Sequence, residues 1–355
     1  MKLWGGRFRK QTAPELSRLG RSLDFDRRLF REEIRTNRAY ARALERAGRL
    51  SEAERDKLER ALAEIEKELA AEAPPFLPDD EDIHTAVERL LAARLGDLAE
   101  KLPVGRSRND LAVTGFRLYL ASAIAVLRDE VQHLQQVLLQ RADQTRELAM
   151  PGYTHLRRGQ PVVLAQYLLA YFWALERDRQ RLSAARAHTL LLALGAGAIA
   201  GNSVGVDREA MVADLGFESL LENSIDAVST RDFAAEFLAA ASLLAVQLSR
   251  MAEDLILWSS AEFGFLSIDE AYSTGSSLMP QKRNPDGLEL IRGKCGRVVG
   301  SLVALLTITK GLPTGYQRDL QEDKEPVFDA LDTLSAVLPV MRGTIATLSV
   351  HPEVM

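Results

Sequence analysis

Cysteine is nearly missing: Cys295 is the only one in 355 residues. No internal disulfide can form, which suits a reducing compartment, and one thiol with five scattered histidines (His84, His133, His155, His188 and His351) cannot build a zinc site. Cys295 sits in an apolar helical pattern, the setting of a core thiol rather than a nucleophile. A basic excess is missing too. With 45 Lys and Arg against 50 Asp and Glu, the net charge of −5 offers no footprint for nucleic acid. The opening Met-Lys-Leu-Trp-Gly-Gly-Arg-Phe-Arg-Lys lacks the apolar core of a signal peptide, and the most apolar run, 190–200, is too short for a membrane span and contains Gly195 and Gly197. There is no Walker loop, paired-histidine metal motif or G-x-S-x-G elbow. These absences lead us to expect a cytoplasmic protein with no metal, organic cofactor, nucleic-acid partner or membrane partner.

Helical periodicity is what the chain has in abundance, and no stretch shows convincing strand alternation. Leu29, Ile34 and Leu44 share one face of a helix ending at Gly48. Ser51 with Glu54 three residues on forms a capping box, followed by Leu58, Leu62, Ile65 and Leu69 at helical spacing. Pro74, Pro75 and Pro78 end that element, and the acidic run 79–82 leads into a helix carrying Val87, Leu90, Leu91 and Leu95, stopped near Gly96. From about Leu111 to Leu148 the chain is long and unbroken, with Leu120, Ile124, Leu127, Val131, Leu134 and Leu138 spaced four, three, four, three and four apart. That is a coiled-coil-like seam on a helix far longer than average. Three more long helices are expected from about Thr230, after Gly287 and after Pro326. We therefore expect an all-α fold: a smaller N-terminal helical domain over 1–105 and an elongated long-helix bundle over 106–355. One copy of such a bundle leaves lateral apolar surface, which predicts a homo-oligomer.

Against this background the run from Tyr272 to Glu289 stands apart. It is irregular, with Gly275, adjacent Ser276 and Ser277, Pro280, Lys282, Asn284 and Pro285, where the flanks are helical. Compact domains rarely keep so long an irregular segment unless it binds or catalyses something. Ser276, Ser277, Lys282 and Asn284 are groups suited to a small carboxylate anion; the plain alternative is a polar surface loop. Four further polar breaks carry the same ambiguity: Glu81–Thr85, Gly105–Asp110, Met150–His155 (with Pro161 placed to open the next helix) and Gly311–Pro326. Asp110 can simply be a helix cap and His155 a surface residue. What these loops hold together is a proton-transfer and carboxylate-binding kit of hydroxyl, imidazole, ammonium and amide groups.

The segment Gly275-Ser-Ser-Leu-Met-Pro-Gln-Lys-Arg-Asn-Pro resembles the signature of the fumarase, aspartase, adenylosuccinate lyase and argininosuccinate lyase superfamily. Trp4-Gly-Gly-Arg-Phe8, Glu81-Asp-Ile-His-Thr85, Gly105-Arg-Ser-Arg-Asn-Asp110, Pro151-Gly-Tyr-Thr-His155 and Leu320-Gln-Glu-Asp-Lys-Glu-Pro326 narrow the likeness to the argininosuccinate lyase family and its lens relatives, the delta-crystallins. The likeness covers essentially the whole chain. It implies a homotetramer on a shared helix bundle, sites assembled from three subunits, and reversible cleavage of argininosuccinate to arginine and fumarate without a cofactor. By similarity, Ser276 and His155 are the proton-transfer pair, with Ser276 favoured as base and His155 as acid, an order the sequence does not settle. Glu289 would support His155, and Lys282 and Asn284 would hold substrate carboxylates. Ser22, Asp26, Ser107, Arg108, Asn109, Thr154, Tyr316, Gln321 and Lys324 match substrate-contact positions, and His84 matches an active-site histidine. Other expectations compatible with the likeness are a catalytically silent crystallin-like homologue, or another superfamily lyase such as an adenylosuccinate lyase; retention of both His155 and Ser276 favours an enzyme.

The pattern is not followed everywhere. Pro103 and Val104 stand in a common Leu-His-Thr segment, Leu111 replaces a usual Gln, and Arg157 and Gly159 replace a usual Gln and Ala. By the likeness, family members usually continue into a smaller C-terminal helical domain, which we expect to be absent from the chain up to Met355.

Overall fold

A computed structural model describes residues 12–355, so the Trp4–Phe8 motif lies outside the described residues. The helices are α1 (Pro14–Gly20), α2 (Leu23–Asp26), α3 (Phe30–Arg46), α4 (Glu52–Leu69), α5 (Ile83–Leu95), α6 (Arg108–Gln144), α7 (Leu164–Thr189), α8 (Arg208–Leu215), α9 (Ser224–Ser229), α10 (Asp232–Ser259), α11 (Asp286–Thr309) and α12 (Lys324–Thr347). Strands are short and paired in twos: β1 (Ala149–Thr154) with β2 (Arg157–Val163), β3 (Leu191–Leu192) with β4 (Ser219–Leu220), β5 (Leu266–Ser267) with β8 (Ser349–Val350), and β6 (Thr274–Gly275) with β7 (Arg283–Asn284).

The described residues form two compact units, one of 12–119, 191–229 and 314–316, the other of 120–190, 230–313 and 317–355. This differs from the boundary expected near residue 105. The first unit continues into α6, because the start of that helix is tied to the loop at 195–197.

In the first unit, α3 packs on α4, α5 and α8. Leu29, Ile34 and Leu44 are buried, as are Leu58, Leu62, Ile65 and Leu69 of α4. The capping box is present: Ser51 Oγ accepts the Glu54 amide, and the Glu54 carboxylate accepts the Ser51 amide at 2.8 Å. Helix α5 ends where Gly96 takes φ 51°, a conformation that costs glycine little.

In the second unit, α10 packs on α7, α11 and α12, and α11 on α12. The seam of α6 from Leu120 to Leu138 is fully buried. Gln135 donates to the Phe172 carbonyl of α7 at 3.2 Å, and Arg342 of α12 pairs with Glu130 at 2.7 Å. Arg231 pairs with Asp323, both side chains essentially inaccessible.

Two expectations need correction. Helices α6 and α10 are each long and apolar enough to cross a membrane by length and composition, although both carry scattered polar residues and neither holds an uninterrupted apolar run of that length; the stripe of α10 from Phe233 to Trp258 is instead buried on its neighbours. Pro161 does not open a helix either. Residues 149–163 form an antiparallel hairpin, with Pro161 opposite Pro151, and α7 begins at Leu164. That hairpin escapes an alternation test because most of it is exposed and its Pro and Gly residues give no two-residue rhythm.

Candidate active site

In the first unit most of the residues singled out from the sequence are held by hydrogen bonds to neighbouring elements. The Ser22 hydroxyl donates to Asp26 Oδ2 at 2.6 Å, and Asp26 Oδ1 accepts the Ile83 amide at 3.0 Å, so the α2 turn is fastened to the first residue of α5. Asp82 caps that helix, accepting the Thr85 amide and hydroxyl, both at 2.7 Å. From the start of α6, Arg108 donates to Asp82 at 3.0 Å and to Glu88 at 3.3 Å. His84 Nδ1 meets Glu33 Oε2 at 2.7 Å, and Glu33 also accepts from Asn37 Nδ2 at 2.6 Å.

Electrostatics follow from this wiring. Burial opposes charge on His84, yet the Glu33 carboxylate and then Asp82 outweigh it and hold the ring above its ordinary pKa. Burial likewise opposes ionisation of Glu33 and Asp82, and for both the nearby His84 is the largest influence holding the carboxyl below its usual range. Glu88 goes the other way, raised by burial despite Arg108.

Asp110 does more than cap. Its Oδ1 accepts the Ser107 amide at 3.0 Å, while Oδ2 accepts the amides of Gly195 at 3.0 Å and Gly197 at 2.8 Å. Ser107 Oγ accepts the Asn109 amide, and Asn109 Nδ2 donates to the Ala198 carbonyl, each at 3.2 Å. Gly105, at φ 78°, makes the turn before these residues; a Cβ there would lie 2.6 Å from Val204. Ser107, Arg108 and Asn109 are thus presented at a helix N-terminus beside an orienting carboxylate, a setting that favours an anion.

The second unit displays its groups on two tight hairpins. At the end of β1–β2, Thr154 pairs with Arg157, leaving His155 and Leu156 as a two-residue turn with φ 55° at both. Two successive left-handed residues define the turn that matches hairpin twist, normally filled by Asn-Gly. Here the strained pair is His-Leu, and both side chains are exposed. On the other hairpin, β6 and β7 pair Thr274 with Asn284 and Gly275 with Arg283, and Thr274 is hydrogen-bonded to Asp286. Tyr272, just before it, lies against Gly343 of α12. The loop 276–282 projects from that anchored base, with Leu278 84% exposed. Ser276 Oγ accepts the Met279 amide at 3.1 Å, turning the start of the loop, and the Lys282 side chain is exposed.

Ser276, His155 and Glu289 share no hydrogen bond within one chain; Glu289 instead faces Arg292 at 3.9 Å. Lys324 is buried and donates to Asp323 at 2.8 Å, while Gln321 is half-buried on the preceding turn. Tyr316 is half-buried in the first unit. Sequence reasoning missed Glu33 and the triple role of Asp110. Among the described residues, no group of three or more His, Cys, Asp or Glu could hold a metal ion.

A helical bundle with a hydroxyl loop, an imidazole turn and an anion-suited helix start describes a lyase of the fumarase and aspartase kind, and the comparisons agree. A family model described as a lyase matches residues 6–300. An argininosuccinate lyase of Roseiflexus castenholzii is 52% identical, aligned over 97% of this chain and 76% of its own. One from Desulforudis audaxviator is 51% identical over 100% of this chain and 77% of its own. Among solved structures, an EDDS lyase in complex with formate superposes with TM-score 0.85 at 29% identity, covering 98% of this chain and 69% of that one. A class II fumarase from Schistosoma mansoni shares the fold, with TM-score 0.83 at 17% identity over 92% of this chain and 77% of that one. The chain belongs to the argininosuccinate lyase family.

Proposed function

We propose that the protein catalyses the reversible elimination of argininosuccinate to arginine and fumarate. The observation that carries this reading is the display of Ser276 and His155 on two tight turns, in a chain about half identical over its length to relatives named argininosuccinate lyase. A base removes the Cβ proton next to a carboxylate; the electrons pass into that carboxylate as an aci-carboxylate, then return to form the fumarate double bond as the C–N bond breaks and the guanidino nitrogen is protonated. Ser276 serves as base, its hydroxyl made more acidic by loop amides and cations, and His155 as acid. Lys282 and Asn284 hold the substrate carboxylates. Ser22, Asp26, His84, Ser107, Arg108, Asn109, Thr154, Tyr316, Gln321 and Lys324 complete the binding surface, and Glu289 supports His155.

These groups meet in a cytoplasmic homotetramer whose sites draw on neighbouring copies. Support comes from apolar side chains left exposed on the long helices: Leu243 and Val246 on α10, and Leu290, Val299, Val303 and Leu306 on α11. On α11 the glycines 293, 296 and 300 leave open space where a Cβ would sit, room for another helix to approach closely. Light scattering should report four chains per particle; a stable monomer would remove the shared-site reading. Fumarate release should be followed with argininosuccinate, adenylosuccinate, aspartate and malate. Turnover of argininosuccinate is expected, whereas turnover only of another compound would transfer the protein to a different lyase activity.

A further inference from the structure

Glu33, the partner of His84, is not among the residues that the family likeness pointed to. Glu33 lies on α3, its carboxylate 1% exposed, and His84 lies in the first turn of α5, 51 residues away in the chain. A carboxylate taken out of water survives only when paired and hydrogen-bonded. Here one oxygen accepts from Asn37 Nδ2 at 2.6 Å and the other faces His84 Nδ1 at 2.7 Å. Asn37 Nδ2 also donates to the Glu33 carbonyl at 2.8 Å, so the amide is held by the same residue at two points. Because an ionised carboxylate can only accept, Nδ1 must carry a proton, and any ligand of the ring must meet Nε2.

We propose that Glu33 is a positioning residue for the elimination: its carboxylate fixes the orientation and protonation of His84 so that Nε2–H donates to a carboxylate of the substrate. The proposal rests on the reading of His84 as a substrate-binding residue. The charged groups around the ring are Glu33 from α3, Asp82 and Glu88 from α5 and its cap, and Arg108 from the start of α6, with Arg106 just before that helix acting on Glu33 and Glu88. Burial and Arg108 oppose the imidazolium, while Glu33 and Asp82 favour it, with Glu33 the larger influence. Removing the Glu33 charge therefore tips the ring towards neutrality. A neutral ring can place its one proton on either nitrogen, and Nε2 is then no longer committed as a donor.

The test compares Glu33→Gln, Glu33→Asp and His84→Asn by kcat and KM for argininosuccinate across pH, with the His84 ring followed by NMR of histidine-labelled protein. Glu33→Gln is expected to lower kcat/KM by roughly ten- to a hundredfold, as when a carboxylate that orients a metal-ligating histidine is removed. It should also move the His84 titration down, while Glu33→Asp restores part of both. Wild-type kcat/KM in Glu33→Gln beside an impaired His84→Asn would overturn the positioning role and leave His84 in the site. Wild-type behaviour in both variants would remove His84 from substrate binding and Glu33 with it. The unmodified protein supplies a measurement that does not depend on variants folding: its His84 ring must stay protonated above the ordinary 6.5, and titration at or below that value would contradict the proposal.

Discussion

The two units hold their site residues in opposite ways. In the first, Ser22 is bonded to Asp26, Asp26 to the Ile83 amide, Asp82 to Arg108 and His84 to Glu33, so each is positioned before any ligand arrives. In the second, His155 and Lys282 stand on turns with exposed side chains, and Ser276 accepts the Met279 amide of its own loop. Binding groups gain from preorganisation, which lowers the ordering cost of association. Residues on projecting turns gain from being completed by another surface. The difference implies that substitutions of the site residues in the first unit change stability and affinity together, while those on the two hairpins change turnover with little effect on folding.

The largest effect should test the hairpin side of that contrast. Ser276→Ala and His155→Asn are each expected to lower kcat by about 10²–10⁴-fold, as befits loss of a proton-transfer group. Their unfolding free energies should stay within about 0.5 kcal/mol of the parent, since neither side chain is buried. A large loss of stability in either would break the comparison. Asp110→Ala is the counterpart in the first unit. It leaves the amides of Ser107, Gly195 and Gly197 without their acceptor, at about 1–3 kcal/mol for each donor left buried and unpaired. Denaturant unfolding should show the loss, and KM should rise with it because Ser107 and Asn109 are displaced.

The His84–Glu33 pair sharpens the contrast through pH. The folded-state pKa of His84 is raised, so its contribution is full below the ordinary 6.5 and fades as pH climbs through the folded value. That of Glu33 is lowered, so its contribution is full above the ordinary 4.5 and fades as pH falls through the folded value. The pair therefore stabilises most between about 4.5 and 6.5. Denaturation midpoints of the parent, minus those of a Glu33→Gln, His84→Asn double variant, should be greatest in that window and shrink on both sides. The smallest effect belongs to Ser51→Ala, which removes the α4 cap hydroxyl. It should cost about 1 kcal/mol with kcat/KM unchanged.

Most of the helical frame was legible from spacing, because the α6 seam, the Ser51 cap and the stop at Gly96 are local signals. The motifs also identified which loops matter. What spacing could not supply were pairings between distant segments: Asp110 with Gly195 and Gly197, and Glu33 with His84, are separated by 85, 87 and 51 residues. Neither partner marks the other by its sequence context. The β1–β2 hairpin was hidden for a different reason: its turn uses His155 and Leu156 at φ 55°, where turn chemistry would call for Asn or Gly. A local rule is broken there at a proposed catalytic residue, where such violations concentrate.

The account depends on the hydroxyl loop of one copy working with the imidazole turn of another. Purified Ser276→Ala and His155→Asn proteins should each be nearly inactive. After joint dissociation and reassembly, with light scattering confirming mixed particles of unchanged size, fumarate release from argininosuccinate should reappear. Mixed particles that form and remain as inactive as their parents would contradict it.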